Sequence, residues 1–493
     1  MTAHEFTVPG STRVYDRRQL LAVLLIPLMM ALVQVSSVNN ALPALSEALG
    51  SSPSEVQWVL SGYTLAIGVV LVPAGRLGDI FGRSSLFMIG LTIFTLASLA
   101  AGLAPTTLIL NILRVFQGIG AGVLSPQTTG LIVQYFEGKA RTRAFALFGL
   151  VVAISVAIGP ILSGLLIGWF GNDLGWRGGF AVNLPLGALG LVLGAHWLPF
   201  GKERRALGLD HTTTGQPVVV RREKIDLDPV GSLLLVLTVL LIMLPFMSRT
   251  SPWLWALLPL GIVGGFIWVV WEKRYKARGR FPMMDLDLLK LPTYGLGTLT
   301  GSLFFMAGPA IMAIVAIYLQ NGVGVSALSV GLLTLPNAIS SGFGAMWSGR
   351  HSYVHGAAIQ VLSTILIVVS SAALAFAVWE IENGASYWWA AIPLVFRGFA
   401  FGAFGAANQT LTMMDVPRTH GGIAGGFLQT GQRMATAISI AIVTGVFFAG
   451  QSLGSSGSNW LAGMLLALGV VVFLAALTTT SALVMWRIER KRA

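Results

Sequence analysis

Fourteen apolar runs alternate with short polar segments along the chain. They fall at 19–42, 55–74, 85–104, 107–132, 143–170, 178–199, 229–248, 253–271, 293–319, 326–348, 355–379, 387–412, 421–449 and 460–486. A helix rises about 1.5 Å per residue, so about 20 residues cross a hydrocarbon core about 30 Å thick. Nothing alternates apolar with polar over the ~10-residue strands of a membrane barrel. The pattern predicts an all-α polytopic membrane protein with fourteen spans. Residues 1–18 are polar and lead straight into a long apolar run. They contain no short apolar region followed by a small-residue cleavage site, so no signal peptide is expected.

Composition narrows the class. Of 493 residues, 55% are hydrophobic and 10% charged, against about 25% charged in a soluble domain. The chain has no cysteine, which removes disulfides and thiolate metal sites but not a compartment. The net charge of +12 reads as a loop bias rather than nucleic-acid binding, because 26 of the 31 Lys and Arg fall on one side of the predicted topology. The opposite loops hold only Arg177 and Arg249, and Arg114, Arg397 and Arg433 lie within spans. Cytoplasmic loops carry the excess of Lys and Arg, so both termini are expected in the cytoplasm. The longest loop, 200–228, reads as a solvated linker. The basic segment 272–280 has the composition to touch anionic headgroups.

Two stretches repeat. RVFQGIGAG (114–122) in the fourth run matches RGFAFGAFG (397–405) in the twelfth, and AGRLGDIFGR (74–83) matches SGRHSYVHG (348–356). The expected organisation is a tail (1–18), a six-helix bundle (19–199), a loop (200–228) and two linker helices (229–271). A loop (272–292), a second six-helix bundle (293–486) and a tail (487–493) follow. Repeated bundles with a midplane site between them are the architecture of secondary transporters.

The loop after the second run reads GRLGDIFGRSS (75–85). Its glycines permit a tight turn, and Arg76, Asp79 and Arg83 can form a charge cluster. It resembles the signature loop of the major facilitator superfamily, with Gly75, Asp79, Gly82 and Arg83 all in register. Ile80 and Ser84 stand where that family often has basic residues. The resemblance implies a loop that latches the bundles and helps them switch; the bland alternative is a helix-stop turn with an ion pair. Arg114, Gln117 and Gly118 resemble the family's buried-Arg motif. A buried Arg facing the cavity and one bonding carbonyls of a neighbouring helix both fit. SVAIGPILSGLLIG (155–168), with Gly159, Pro160 and Gly164, resembles the antiporter motif of exporters, although Ser155 and Ser163 replace two glycines; simple helix packing gives a similar pattern. GWRGGFAVNLPLG (175–187), VNNALP (38–43) and FPMMDLDLLK (281–290) resemble the fourteen-span drug:proton antiporter branch.

That resemblance implies a major facilitator fold of two six-helix bundles plus two linker helices. It also implies multidrug efflux by alternating access, proton antiport, a monomer and a place in the cytoplasmic (inner) cell membrane. The partners expected are a small-molecule substrate, protons and the bilayer, with no nucleic acid, cofactor or metal. The first run departs from the branch, because Gln34 stands where an acid is usual and cannot titrate. All 19 acids fall in loops, tails or helix ends, and His196 sits near the inner end of the sixth run as an interfacial residue or a relay. Coupling then uses Asp79 or Asp415, or differs from the branch. An anionic metabolite or lipid-like anion suits an Arg-lined cavity equally well. A membrane enzyme would need a metal-binding carboxylate cluster or a base–nucleophile pair in the interior, and a non-transporting sensor would not require paired Arg. The polar candidates for substrate or coupling are Gln34, Asn39, Asn40, Tyr63, Arg114, Gln117, Asn183, Tyr318, Asn337, Arg397, Asn408, Gln409, Gln429 and Arg433. Phe304, Phe305 and Met306 could supply an apolar wall.

Overall fold

The computed structural model describes residues 5–8, 13–200, 226–247, 252–453 and 459–491. Most of the 200–228 loop, Arg249 and residues 492–493 of the C-terminal tail lie outside the described residues. The helices are α1 (Arg17–Leu49), α2 (Pro53–Phe81), α3 (Arg83–Gly102), α4 (Thr107–Tyr135), α5 (Gly138–Ala181), α6 (Asn183–Trp197) and α7 (Pro229–Met247). They continue with α8 (Leu257–Ala277), α9 (Pro292–Ala307), α10 (Ala310–Ile317), α11 (Ala327–Glu382), α12 (Ala391–Thr412), α13 (Gly421–Gln451) and α14 (Trp460–Arg490).

Twelve helical segments of the described residues are long and apolar enough to cross a membrane. Two of them, Gly138–Trp197 and Ser329–Glu382, are 60 and 54 residues long, enough for two crossings each at ~20 residues per crossing. They take in the fifth and sixth and the tenth and eleventh predicted runs. Each breaks where the sequence changes run, at Gly171 (φ 75°) in α5 and at His355 in α11. Large apolar side chains such as Leu108, Phe266, Phe343 and Phe473 are exposed. A surface of that kind suits lipid tails and not water.

Local signals set several boundaries. The Ser52 side chain accepts from the Glu55 amide and Glu55 reaches back, a capping box with Pro53 in the first turn of α2. Asp16 starts α1 by accepting from the Arg18 amide, and Gly50 (φ 59°) ends it. β1 (Glu5–Thr7) pairs antiparallel with β2 (Val14–Asp16), and Phe6 packs on Tyr135 with ring centres 4.6 Å apart.

The chain divides into two compact units that do not follow chain order. The first comprises 1–137, 161–288 and 416–430, and the second 138–160, 289–415 and 431–493. Within the first, glycines of α4 seat it against its neighbours: a β-carbon on Gly118 would lie 2.5 Å from Tyr63 O, and one on Gly120 2.6 Å from Phe94 N. Within the second, Gly398 and Gly402 of α12 do the same for α11, where a β-carbon would strike Asn337 O and Ser341 O. Both obstructing atoms are backbone, so Gly402→Ala should force α11 and α12 apart. We expect a loss of about 1–3 kcal/mol, the cost of overpacking, read as a lowered thermal unfolding midpoint. An unchanged midpoint would show that the two helices separate without strain.

Candidate functional site

The signature loop closes onto the start of α13, within the first unit. Asp79 Oδ1 accepts from Arg83 Nε (2.8 Å) and the Gly422 amide (3.1 Å), and Oδ2 accepts from the Ile423 amide (2.9 Å). A carboxylate at a helix N-terminus meets unpaired N–H groups and the positive end of the dipole. Arg83 is fully buried and its guanidinium is shared out. Besides Asp79, it donates to Gly130 O, Gln134 Oε1 and Arg418 O at 2.7–2.8 Å. Backbones meet directly here, since a β-carbon on Gly75 would lie 2.5 Å from Gly422 O and one on Gly426 2.5 Å from Leu71 O. Gly82 (φ 105°) makes the turn into α3. Further along the same contact, Gln429 accepts from Ser125 Oγ and donates to Thr129 Oγ1 at 3.1 Å. Arg76 points elsewhere, donating from Nη2 to Asp226 O at 3.2 Å.

A second polar cluster lies among α1, α2, α3, α4, the end of α5 and the start of α6. Arg114 is fully buried. Nε donates to Val59 O (2.8 Å) and Nη1 to Gln117 Oε1 (2.5 Å), and Gln117 Nε2 goes on to Ser98 Oγ (2.5 Å). The guanidinium lies 4.0 Å from the Tyr63 ring centre and 5.8 Å from that of Phe180. Nη2 of Arg114 has no hydrogen-bond partner. Asn183 Nδ2 donates to Gln34 Oε1, so a neutral amide pair occupies the place where the resemblance led one to expect an acid. Gln34 Nε2 also lacks an acceptor, as does the indole N–H of buried Trp176.

Arg397, in the second unit, is placed differently. Nη2 donates to Ala307 O (3.0 Å) and Gly308 O (2.8 Å), and Nη1 to Ser371 Oγ (3.1 Å). The ninth run breaks here, because Pro309 has no N–H to give and α9 stops at Ala307. Arg397 therefore caps the free carbonyls of a broken helix, where a cation is favoured. Nearby, Phe304 stacks on Phe404 with ring centres 3.7 Å apart; Phe305 and Met306 are half-buried beside it.

The other candidates are scattered. Asn337 Nδ2 donates to Leu394 O (2.7 Å), Asn408 Oδ1 accepts from Gln360 Nε2 (2.8 Å), and Tyr318 Oη donates to Glu382 Oε2 (3.2 Å). Asn39 and Asn40 are exposed, and Gln409 and Arg433 half-buried. Thr293 Oγ1 donates to Asp415 Oδ2 (2.8 Å), and His196 Nδ1 lies 2.8 Å from Val192 O on its own helix. In the exporter-like segment Gly159 is buried and Pro160 exposed; nothing lies within 4 Å of a β-carbon placed on Gly164 or Gly168. One cluster of acids was not foreseen. Asp228 and Glu272, expected in cytoplasmic loop segments, are both buried.

Relatives place this geometry. The pattern that defines the Major Facilitator Superfamily matches residues 24–440. The probable actinorhodin transporter of Streptomyces coelicolor is 30% identical over 88% of this chain and 73% of its own length. The multidrug resistance protein Stp of Mycobacterium tuberculosis is 29% identical over 88% and 77%. The riboflavin transporter RibZ of Clostridioides difficile is 25% identical over 92% and 96%. Among solved structures, the human organic anion transporter MFSD10 shares the fold with a TM-score of 0.68 at 14% identity, covering 94% of this chain and 99% of that one. These are transport proteins, not enzymes. An all-α chain with twelve long apolar helical segments and a complete signature loop fastened to the start of α13 thus belongs to the Major Facilitator Superfamily.

Proposed function

We propose that the protein is an alternating-access secondary active exporter of small amphiphilic molecules, driven by the proton gradient across the cytoplasmic (inner) cell membrane. It works as a monomer with both termini in the cytoplasm, as the Lys and Arg census indicates. The observation that carries this reading is the Asp79–Arg83 clamp on the start of α13. Its bonds are made to backbone groups that must part if the loop is to release, so it favours one state of a two-state cycle. The names of relatives, which include multidrug resistance proteins and a drug efflux pump, support export. The test is ethidium transport by protein reconstituted in liposomes, with a pH gradient imposed in either direction. Movement that follows the gradient and reverses with it supports the reading. Gradient-independent movement removes the proton drive, and no movement of ethidium or of the organic anions below removes multidrug efflux.

A second reading concerns substrate charge. Arg114 Nη2, Gln34 Nε2 and Trp176 Nε1 are buried donors without acceptors, in a cluster containing no carboxylate. A buried donor left unpaired is unfavourable, and an anionic or zwitterionic amphiphile beside Arg114 would satisfy its free Nη2. On this reading the anion is held at Arg114, while Arg397 holds the broken helix.

A further inference from the structure

The ends of α7 and α8 carry carboxylates that nothing described so far uses. Asp228 lies one residue before α7, and Glu272 lies past the apolar run 253–271, in the charged end of α8. Their exposures are 0% and 1%. Asp228 Oδ1 accepts from the Gly231 amide (2.9 Å) and Trp271 Nε1 (2.9 Å), and Oδ2 from the Met283 amide (3.3 Å). Glu272 Oε2 accepts from the Met284 amide (3.4 Å). Glu272 Oε1 makes no well-formed hydrogen bond, although the Trp268 indole N–H, one turn back, faces the carboxyl. The same oxygen lies near Asp228: a β-carbon on Gly231 would strike Asp228 Oδ2 and lie 2.8 Å from Glu272 Oε1. Two buried carboxylates thus meet over one glycine.

The cation that faces them, Arg76, is bonded to neither acid. Among the described residues no Lys or Arg forms a salt bridge with either acid. The charged and titratable groups that face them are Arg76 from α2, with Asp79 beyond it; Asp226 ahead of α7; and Tyr275 at the end of α8, with Arg280 beside Tyr275 and Asp226. His420 ahead of α13 senses Arg76, Asp79 and Asp285. Asp226 stays ionised. Partial burial works to raise its carboxyl, but bonds from the Tyr275 hydroxyl and from the Asp228 and Phe281 amides outweigh it and hold it below the ordinary carboxylate range. A metal is poorly served, because no group of three or more His, Cys, Asp or Glu among the described residues could hold one. Backbone N–H groups also point at Asp228. Two carboxyls sharing a buried site with no ion-paired cation cannot both ionise cheaply.

We propose that Asp228 and Glu272 form a proton-binding pair, and that its protonation sets the pull on Arg76 and so the fastening of the α7–α8 hairpin to the signature loop. With the proton bound, one negative charge is left and Arg76 rests on the Asp226 carbonyl. When the proton leaves, the second charge draws Arg76, which lies on the same helix three residues before Asp79. The inference concerns proton binding in the resting protein and stands whatever drives transport.

Infrared difference spectroscopy of the purified full-length protein tests it without any transport step. The band to follow is the C=O stretch of a protonated carboxyl, titrated from about pH 5 to about pH 9, a range in which isolated carboxylates are already ionised. Wild type should keep a protonated-carboxyl band at neutral pH that disappears in Glu272→Gln. Asp228→Asn should remove or shift it, and reads the same pair if the first variant does not fold. Arg76→Gln should move the loss of the band to higher pH by about one unit, because a cation favouring ionisation is gone. No band at neutral pH in wild type, or one indifferent to both acid substitutions, overturns the pair. An unmoved titration in Arg76→Gln overturns the link to the signature loop.

Discussion

Asp79→Asn should slow turnover by about five- to 150-fold, the kinetic expression of about 1–3 kcal/mol between two conformations, while the protein still folds. The carboxylate satisfies two amides of α13 and neutralises Arg83, which is fully buried. Asparagine keeps one acceptor but no charge, so Arg83 is left with neutral partners at Gly130, Gln134 and Arg418. A buried cation robbed of its counter-ion is costly, about 3–5 kcal/mol when nothing relaxes. Here relaxation is available, since the loop can part from α13 and let water reach the guanidinium. The loss therefore falls mainly on the fastened state rather than on the fold. The measurements are transport by reconstituted protein and thermal unfolding in detergent. Wild-type rates in a well-folded variant would show that Asp79 does no more than end a helix.

Arg114→Gln and Arg397→Gln should separate in kind. Arg397 spends its donors on Ala307, Gly308 and Ser371, and its loss leaves buried carbonyls unsatisfied at about 1–3 kcal/mol. The expected result is a lowered unfolding midpoint with ligand selectivity unchanged. Arg114 keeps Nη2 uncommitted. Its loss should weaken binding of an organic anion by about 10- to 100-fold, the worth of one charge-assisted hydrogen bond. Ligand series of matched size and opposite charge, titrated onto purified protein, decide the matter. Tight binding of ethidium that Arg114→Gln leaves unchanged or improves, with no anion binding in wild type, would return the protein to the ordinary multidrug reading.

The clamp was legible in the sequence because its chemistry is local. Gly75, Asp79, Gly82 and Arg83 lie within nine positions, and spacing alone brings carboxylate and guanidinium together. The matched Arg114 and Arg397 were legible as a repeat, but not their different duties. That difference comes from the break after Ala307, for which Gly308–Pro309 inside the ninth apolar run was the available signal. Asp228 and Glu272 were not legible as a pair. They are separated by two helices and surrounded in sequence by Lys and Arg, so local composition describes them as solvated. Their burial depends on the chain 281–284 folding back to offer the Met283 and Met284 amides, a contact that no local pattern announces. The pairing of β1 with β2 escaped for a related reason, since Phe6 packs on Tyr135, far along the chain.

The hydrogen bond from Ser125 to Gln429 acquires a use from what the chain lacks. There is no cysteine anywhere in it, so a single Ser125→Cys thiol faces no background. Packed against Gln429 it is half-buried and reacts slowly with a water-borne maleimide, and released it reacts faster. The rate of labelling then becomes a clock for how often α4 and the start of α13 let go, readable in the purified, reconstituted protein before any substrate is known.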